Sequence, residues 1–239
     1  MNYTFIASDA DTSRYPAPKP ASKFIPEWYQ KMPNARDPAT SIPSTKLTWS
    51  DPAVGVTNGQ TLKQCIPVRD YLTSGYIVPL WTELVVTLKN GKLGAVWPDK
   101  DADVIRFHYN FQFTGCPIEK ENADYSAVGK LMSPWQFKTP KGYSSLFYSP
   151  RYSENKIEIL PAIVDTDCYH EVNFPFIFHG KEGEHLFEKG TPVIQVLPFK
   201  REKWTADFEI GTPTKTRQIL NTVFTSGYRK FFHSKKIFR

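Results

Sequence analysis

Phe107-His-Tyr-Asn-Phe-Gln-Phe113 carries a ring at every odd position and a polar side chain at every even one. That period of two is the pattern of a β-strand with one face in a core and one in water. On this reading Phe107, Tyr109, Phe111 and Phe113 share the buried face. Upstream, Asn90-Gly91 separates the strand-like Glu83–Leu88 from Leu93–Trp97, and Asn-Gly between strand formers marks a tight hairpin. Tyr76–Trp81 reads as a further strand. Downstream the candidates are Trp135–Lys138, Tyr143–Tyr148, Lys156–Leu160, Val172–Phe178, Val193–Leu197 and Ala206–Ile210. Thr139-Pro-Lys-Gly142 and Ser149-Pro150 punctuate them. Many short strands with Gly/Pro turns predict a mainly β fold, an antiparallel β-sandwich or jelly-roll-like single domain.

The flanks differ from this middle. Residues 1–60 read as an extended, Pro-rich N-terminal arm, packed on the domain or reaching beyond it to a neighbouring subunit. Tyr15-Pro-Ala-Pro-Lys-Pro20 is polyproline-like. Ile25-Pro-Glu-Trp-Tyr-Gln-Lys-Met32 predicts one or two helical turns, with Trp28 and Met32 on the inner face. A short strand is expected at Leu47–Trp49. Residues 61–211 form the β-rich core, with a short helix within Thr61–Tyr71 interrupted by Pro67. Residues 212–239 form a C-terminal helix and tail. Thr212-Pro213 supplies a cap and a first-turn proline, and Leu220, Phe224 and Tyr228 recur every four residues.

Seventeen Phe, twelve Tyr and six Trp in 239 residues mean a core built largely from rings. Three cysteines, Cys65, Cys116 and Cys168, make no Cys-x-x-Cys pair, so a reducing cytoplasm is the expected compartment. Each sits among apolar or aromatic neighbours and reads as a buried structural thiol. The opening MNYTFIASDADTSRYP lacks the pattern of a signal peptide, and no apolar run is long enough to span a bilayer. The net charge of +6 is concentrated in Arg229, Lys230, Lys235, Lys236 and Arg239; it belongs to a tail rather than to a face of the domain.

Asp165-Thr-Asp167-Cys-Tyr-His170 is the one segment that suggests a metal. Two carboxylates and an imidazole suit Fe(II) in a cupin-like oxygenase. Yet no His-x-Asp or His-x-Glu pair occurs, and in an extended chain Asp167 and His170 face opposite ways. A turn with ordinary hydrogen bonds is the competing reading. His179-Gly-Lys-Glu-Gly-Glu-His185 has the wrong spacing for a zinc hydrolase and reads as a polar hairpin loop. Neither Gly-x-Ser-x-Gly nor a phosphate-cradling glycine loop is present. No catalytic residue is assigned and no cofactor is expected.

Two binding surfaces remain. Trp81, Trp135, Lys138 and Tyr143 fall at strand ends or adjacent turns and would suit a small anionic or sugar-like ligand, or else are core and rim. In the tail, Arg229, Lys230, Phe231, Phe232, Lys235, Lys236 and Arg239 mix cations with rings. Phe231, Ile237 and Phe238 docking on the domain or a protein partner, self-association included, is favoured over phosphate and base contacts with nucleic acid.

Five stretches, in this order, resemble an uncharacterised protein family of bacteriophages and some bacteria. They are Ile25-Pro-Glu-Trp-Tyr-Gln-Lys-Met-Pro33, Leu62-Lys-Gln-Cys-Ile-Pro67, Gly75-Tyr-Ile-Val-Pro-Leu-Trp81, Pro134-Trp-Gln-Phe-Lys-Thr-Pro-Lys-Gly-Tyr143 and Gly190-Thr-Pro-Val-Ile-Gln-Val-Leu-Pro198. The match runs from about residue 16 to 205. It implies a β-rich domain of phage origin, in the host cytoplasm or the virion, and supplies no activity. The expected function is that of a non-catalytic virion component or partner-binding factor.

Overall fold

Asn90 and Gly91 turn the chain back on itself with φ of 51° and 74°, the left-handed pair that a two-residue hairpin needs. Their flanking strands pair from Lys89 opposite Lys92 to Val85 opposite Val96. The Glu182 carboxylate accepts from both turn N–H groups, at 3.0 and 3.2 Å. The computed structural model describes residues 1–7, 15–34, 61–99, 102–118, 125–211 and 228–239. Among these lie fourteen strands: β1 (Thr4–Ala7), β2 (Lys19–Pro20), β3 (Tyr76–Pro79), β4 (Leu84–Lys89), β5 (Lys92–Val96), β6 (Ile105–Tyr109), β7 (Tyr125–Leu131), β8 (Trp135–Lys138), β9 (Tyr143–Tyr148), β10 (Ile157–Ile159), β11 (Ala162–Val164), β12 (Phe174–Phe178), β13 (Gly183–Phe187) and β14 (Pro192–Lys200).

Every pairing of these strands is antiparallel. A five-stranded sheet runs β11-β9-β14-β3-β2, a four-stranded sheet β10-β12-β7-β6, a three-stranded sheet β13-β4-β5, and β1 pairs with β8. The fold is mainly β, as the spacing of short strands predicts. The chain divides into two compact units. Met1–Phe24, Gly75–Glu202 and Arg239 form one; Ile25–Ser74 and Lys203–Phe238 form the other. Strands β1 and β2, from the stretch read as an arm, belong to the sheets of the first.

The core of the β unit gathers rings from different sheets. Phe147 of β9, Phe174 of β12 and Phe137 of β8 meet with centroids 5.1–5.7 Å apart, and all three are fully buried. Each such side chain contributes about 1.5–3 kcal/mol on leaving water. On β12, Phe174, Phe176 and Phe178 face inward at every second position. Strand β14 lies between β9 and β3, and its Val193, Ile194, Gln195 and Val196 are all buried. A strand covered on both faces has no polar face to show.

Three expectations need correction. The strand at Phe107 ends at Tyr109, and Asn110–Phe113 is a 3-10 turn. Ile105 is buried, but Phe107, Tyr109 and Phe111 are 37%, 52% and 73% exposed. The reason is position: among the described strands β6 is the last of its sheet, which leaves its rings open to water on that side. Ala206–Ile210 forms no strand. The 179–185 segment is not a hairpin loop, because β12 and β13 belong to different sheets and His185 lies within β13. The Leu47–Trp49 strand and residues 212–227 of the C-terminal helix lie outside the described residues; Tyr228–Phe232 forms a single π-type turn.

In the second unit, Glu27–Lys31 forms a one-turn helix, α1, and Ile66–Thr73 forms α2, with Pro67 tolerated in its first turn. The buried residue of α1 is Tyr29 rather than Trp28 or Met32. Its hydroxyl donates to the Lys63 carbonyl at 3.2 Å, which orients the short helix.

Candidate functional site

The Asp165–His170 segment does turn. Cys168 and Tyr169 donate their N–H groups to the Asp165 carbonyl at 3.0 and 2.9 Å, and the turn brings both carboxylates to Arg201 at the end of β14. The guanidinium binds Asp167 in a two-pronged pair, at 2.9 and 2.5 Å, and reaches Asp165 at 3.1 Å. Gly142 N–H adds a 2.7 Å bond to Asp167, whose side chain is only 2% exposed. The Arg201 hydrogen bond first, and the Gly142 N–H second, hold the Asp167 carboxyl well below the usual carboxylate range. Ser144 donates to Asp165 at 2.6 Å.

The carboxylates therefore converge on a guanidinium, a cation that never deprotonates in a protein. His170 lies past the turn, where its carbonyl accepts from Phe137 N–H at 2.9 Å. Its Nε2 is buried with no hydrogen-bond partner among the described residues. Among the described residues no three His, Cys, Asp or Glu side chains are grouped to hold a metal. Cys116 and Cys168 are exposed, against the expectation of buried thiols. Bonding to Asp167 raises the Cys168 thiol above its ordinary value, which disfavours the nucleophilic thiolate.

Beneath this clasp runs a chain of hydroxyls. Tyr3 meets Ser145 at 2.9 Å, Ser145 meets Thr166 at 2.8 Å, and Thr166 meets Thr139 at 2.9 Å. Thr139 then donates to the Tyr143 carbonyl at 3.1 Å. Ser145, Thr166 and Thr139 are buried, and each has the partner that burial demands.

Trp81 and Trp135 sit in the core cluster, not on a pocket wall. Lys138 is exposed at the end of β8 and Tyr143 half-buried at the start of β9. A cleft of about 630 Å³ instead lies beside β13. Lys156 donates to His185 Nδ1 at 2.9 Å, and His185 Nε2 bonds the Lys181 carbonyl at 2.8 Å. Glu154, Glu184 and Glu188 share this lining, an acidic rim with one ammonium.

The tail is tied down through two of its side chains. His233 Nε2 and Lys236 Nζ both contact Asp70 of α2, at 2.9 and 2.7 Å. Burial raises the Asp70 carboxyl, but the Lys236 and His233 hydrogen bonds outweigh it and leave the value lowered. Of the three side chains expected to dock, Phe231 and Ile237 are 76% and 61% exposed and Phe238 is half-buried; Phe232 is 63% exposed. Arg229, Lys230, Lys235 and Arg239 are exposed.

The segment after β14 was missed as a binding element. Trp204, Phe208 and Ile210 are 84%, 98% and 100% exposed and alternate with Thr205, Asp207 and Glu209. The period of two was visible; that no strand among the described residues takes it up was not.

No family model and no curated protein matches this chain. Among solved structures it is similar to a mutant dUTPase from phage phi11 of S. aureus, with 9% identity over 59% of this chain and 85% of that one, at a TM-score of 0.33. No helix among the described residues is long and apolar enough to cross a membrane.

Proposed function

We propose that this protein is a non-catalytic, phage-encoded assembly or partner-binding factor that works through protein–protein contacts. The observation that carries the reading is the exposed, alternating Trp204–Ile210 segment. Leaving three large apolar side chains in water forgoes several kcal/mol, about 1.5–3 for each, and contiguous exposed apolar surface marks interaction sites. Two features support the non-catalytic part. The paired carboxylates are engaged by Arg201, and His233 and Lys236 of the tail by Asp70. The phage origin is supported by the resemblance of the five ordered stretches.

The test combines protein quantification in purified phage particles with gradient sedimentation of the isolated chain. The reading expects the protein at stoichiometric levels in particles, or as a species larger than the 27.4 kDa monomer. Replacing Trp204, Phe208 and Ile210 together by Ser abolishes that behaviour. A wild-type monomer absent from particles overturns the reading.

A further inference from the structure

We infer that the Tyr228–Phe232 turn, together with Lys235, is a binding surface for single-stranded nucleic acid. Phe231 and Phe232 stack on bases, while Arg229, Lys230 and Lys235 take the backbone phosphates. This goes beyond the protein–protein reading, which rests on a different segment. The turn is closed by the His233 backbone N–H, which donates to the Tyr228 carbonyl at 2.9 Å. His233 and Lys236 then seat it on α2 through Asp70, and the His233 side chain is only 10% exposed. The segment is thus anchored by two side chains, and its remaining cations and its two adjacent rings face water.

Charge and rings both separate this surface from an ordinary solvated tail. Residues 228–239 contain no Asp or Glu, and Arg229, Lys230 and Lys235 make no ion pair among the described residues. An incoming anion therefore meets no opposing charge on this stretch. Phe231 and Phe232, most of whose surface is in water, meet no other ring among the described residues. Two cations and two open rings in one turn are the parts that hold a single strand, whose phosphates take the charge and whose bases offer a π-face. A duplex keeps those faces inside its own stack, so unpaired bases are the better fit. An anionic lipid surface is the competing polyanion, but its recognition takes clusters of about four to eight cations. The turn and Lys235 supply fewer.

Fluorescence anisotropy of a labelled oligothymidylate of about 20 nucleotides, titrated with the full chain at several salt concentrations, tests this. Wild-type protein binds the strand at least about tenfold more tightly than a duplex of equal length. Its log affinity falls with log salt at a slope of about −2, as three phosphate contacts on a single strand require. Phe231→Ala/Phe232→Ala weakens binding at least about tenfold and leaves the slope alone, because stacking releases no counterions. Phe231→Leu/Phe232→Leu keeps apolar bulk without a π-face and fails alike. Arg229→Gln/Lys230→Gln/Lys235→Gln brings the slope close to zero. All five side chains are exposed, so the variants keep the wild-type melting temperature. Three results overturn the surface: no wild-type binding at about 100 µM, the weak end of non-specific affinity; equal affinity for strand and duplex; or leucine variants that bind like wild type. Protein that ignores the strand yet co-sediments with phosphatidylserine vesicles also overturns it, and assigns the tail to lipid.

Discussion

Phe176 lays its ring against the backbone of Gly129, directly across the β12–β7 pair. A Cβ built on Gly129 would fall 2.4 Å from the ring's Cζ and 2.6 Å from Cε1. Glycine within a strand often marks such a close approach. Because Phe176 is fully buried, it has nowhere to retreat. Gly129→Ala is expected to destabilise the fold by about 1–3 kcal/mol, the range of overpacking. Adding Phe176→Leu recovers part of that loss. Urea unfolding of the two variants checks the coupling; a Gly129→Ala protein as stable as wild type contradicts it.

The buried hydroxyl chain predicts a second cost. Thr166 serves both Ser145 and Thr139. Thr166→Val keeps the shape and removes one partner from each of two buried hydroxyls, leaving Ser145 its Tyr3 bond and Thr139 its Tyr143 bond, for a loss of about 1–3 kcal/mol. Thr166→Ser, which keeps the oxygen, should lose less. Thermal unfolding of both separates the hydrogen bonds from packing.

Tyr3 sets an alkaline limit. Burial raises its hydroxyl above the ordinary value of about 10, against a smaller lowering by the Ser145 hydrogen bond. The fold therefore prefers the neutral phenol. That contribution is complete below pH of about 10 and is lost as pH rises past it toward the folded value. Melting temperatures from pH 8 upward should fall for the wild type, and less steeply for Tyr3→Phe.

Arg201 sets an acid limit with the opposite sign. Asp167 is held ionised by Arg201, so its stabilising effect is complete above the ordinary carboxylate value of about 4 and drains away as pH falls below it. Arg201→Ala should melt well below wild type at pH 7, and the gap should narrow toward pH 2. Arg201→Lys should not rescue it, since an ammonium lacks the two-pronged geometry. Equal gaps at both pH values would show that the pair contributes nothing through charge.

Much of the fold was legible. Trp135–Lys138 and Tyr143–Tyr148 have the bounds read from the chain, because Pro140 and Gly142 punctuate the turn between them. The Asn90-Gly91 hairpin is equally local. Strands β7 and β13 escaped notice, since Gly129 interrupts the one and charged residues dilute the other. At β6 the alternation was real, but alternation carries no information about whether a neighbour exists. The clasp was unreadable for a related reason. Asp167 and Arg201 stand 34 residues apart and meet only because β14 pairs with β9.

The pairing of β1 with β8, Thr4 opposite Lys138, has a consequence during synthesis. A ribosome adding about 5–20 residues per second makes β1 on the order of ten seconds before its partner emerges. Throughout that wait Phe5 lacks the ring of Phe137, which it later meets edge to face. The nascent chain is thus at risk of clumping on the polysome, where a chaperone that shields the first strand would raise the yield of folded protein.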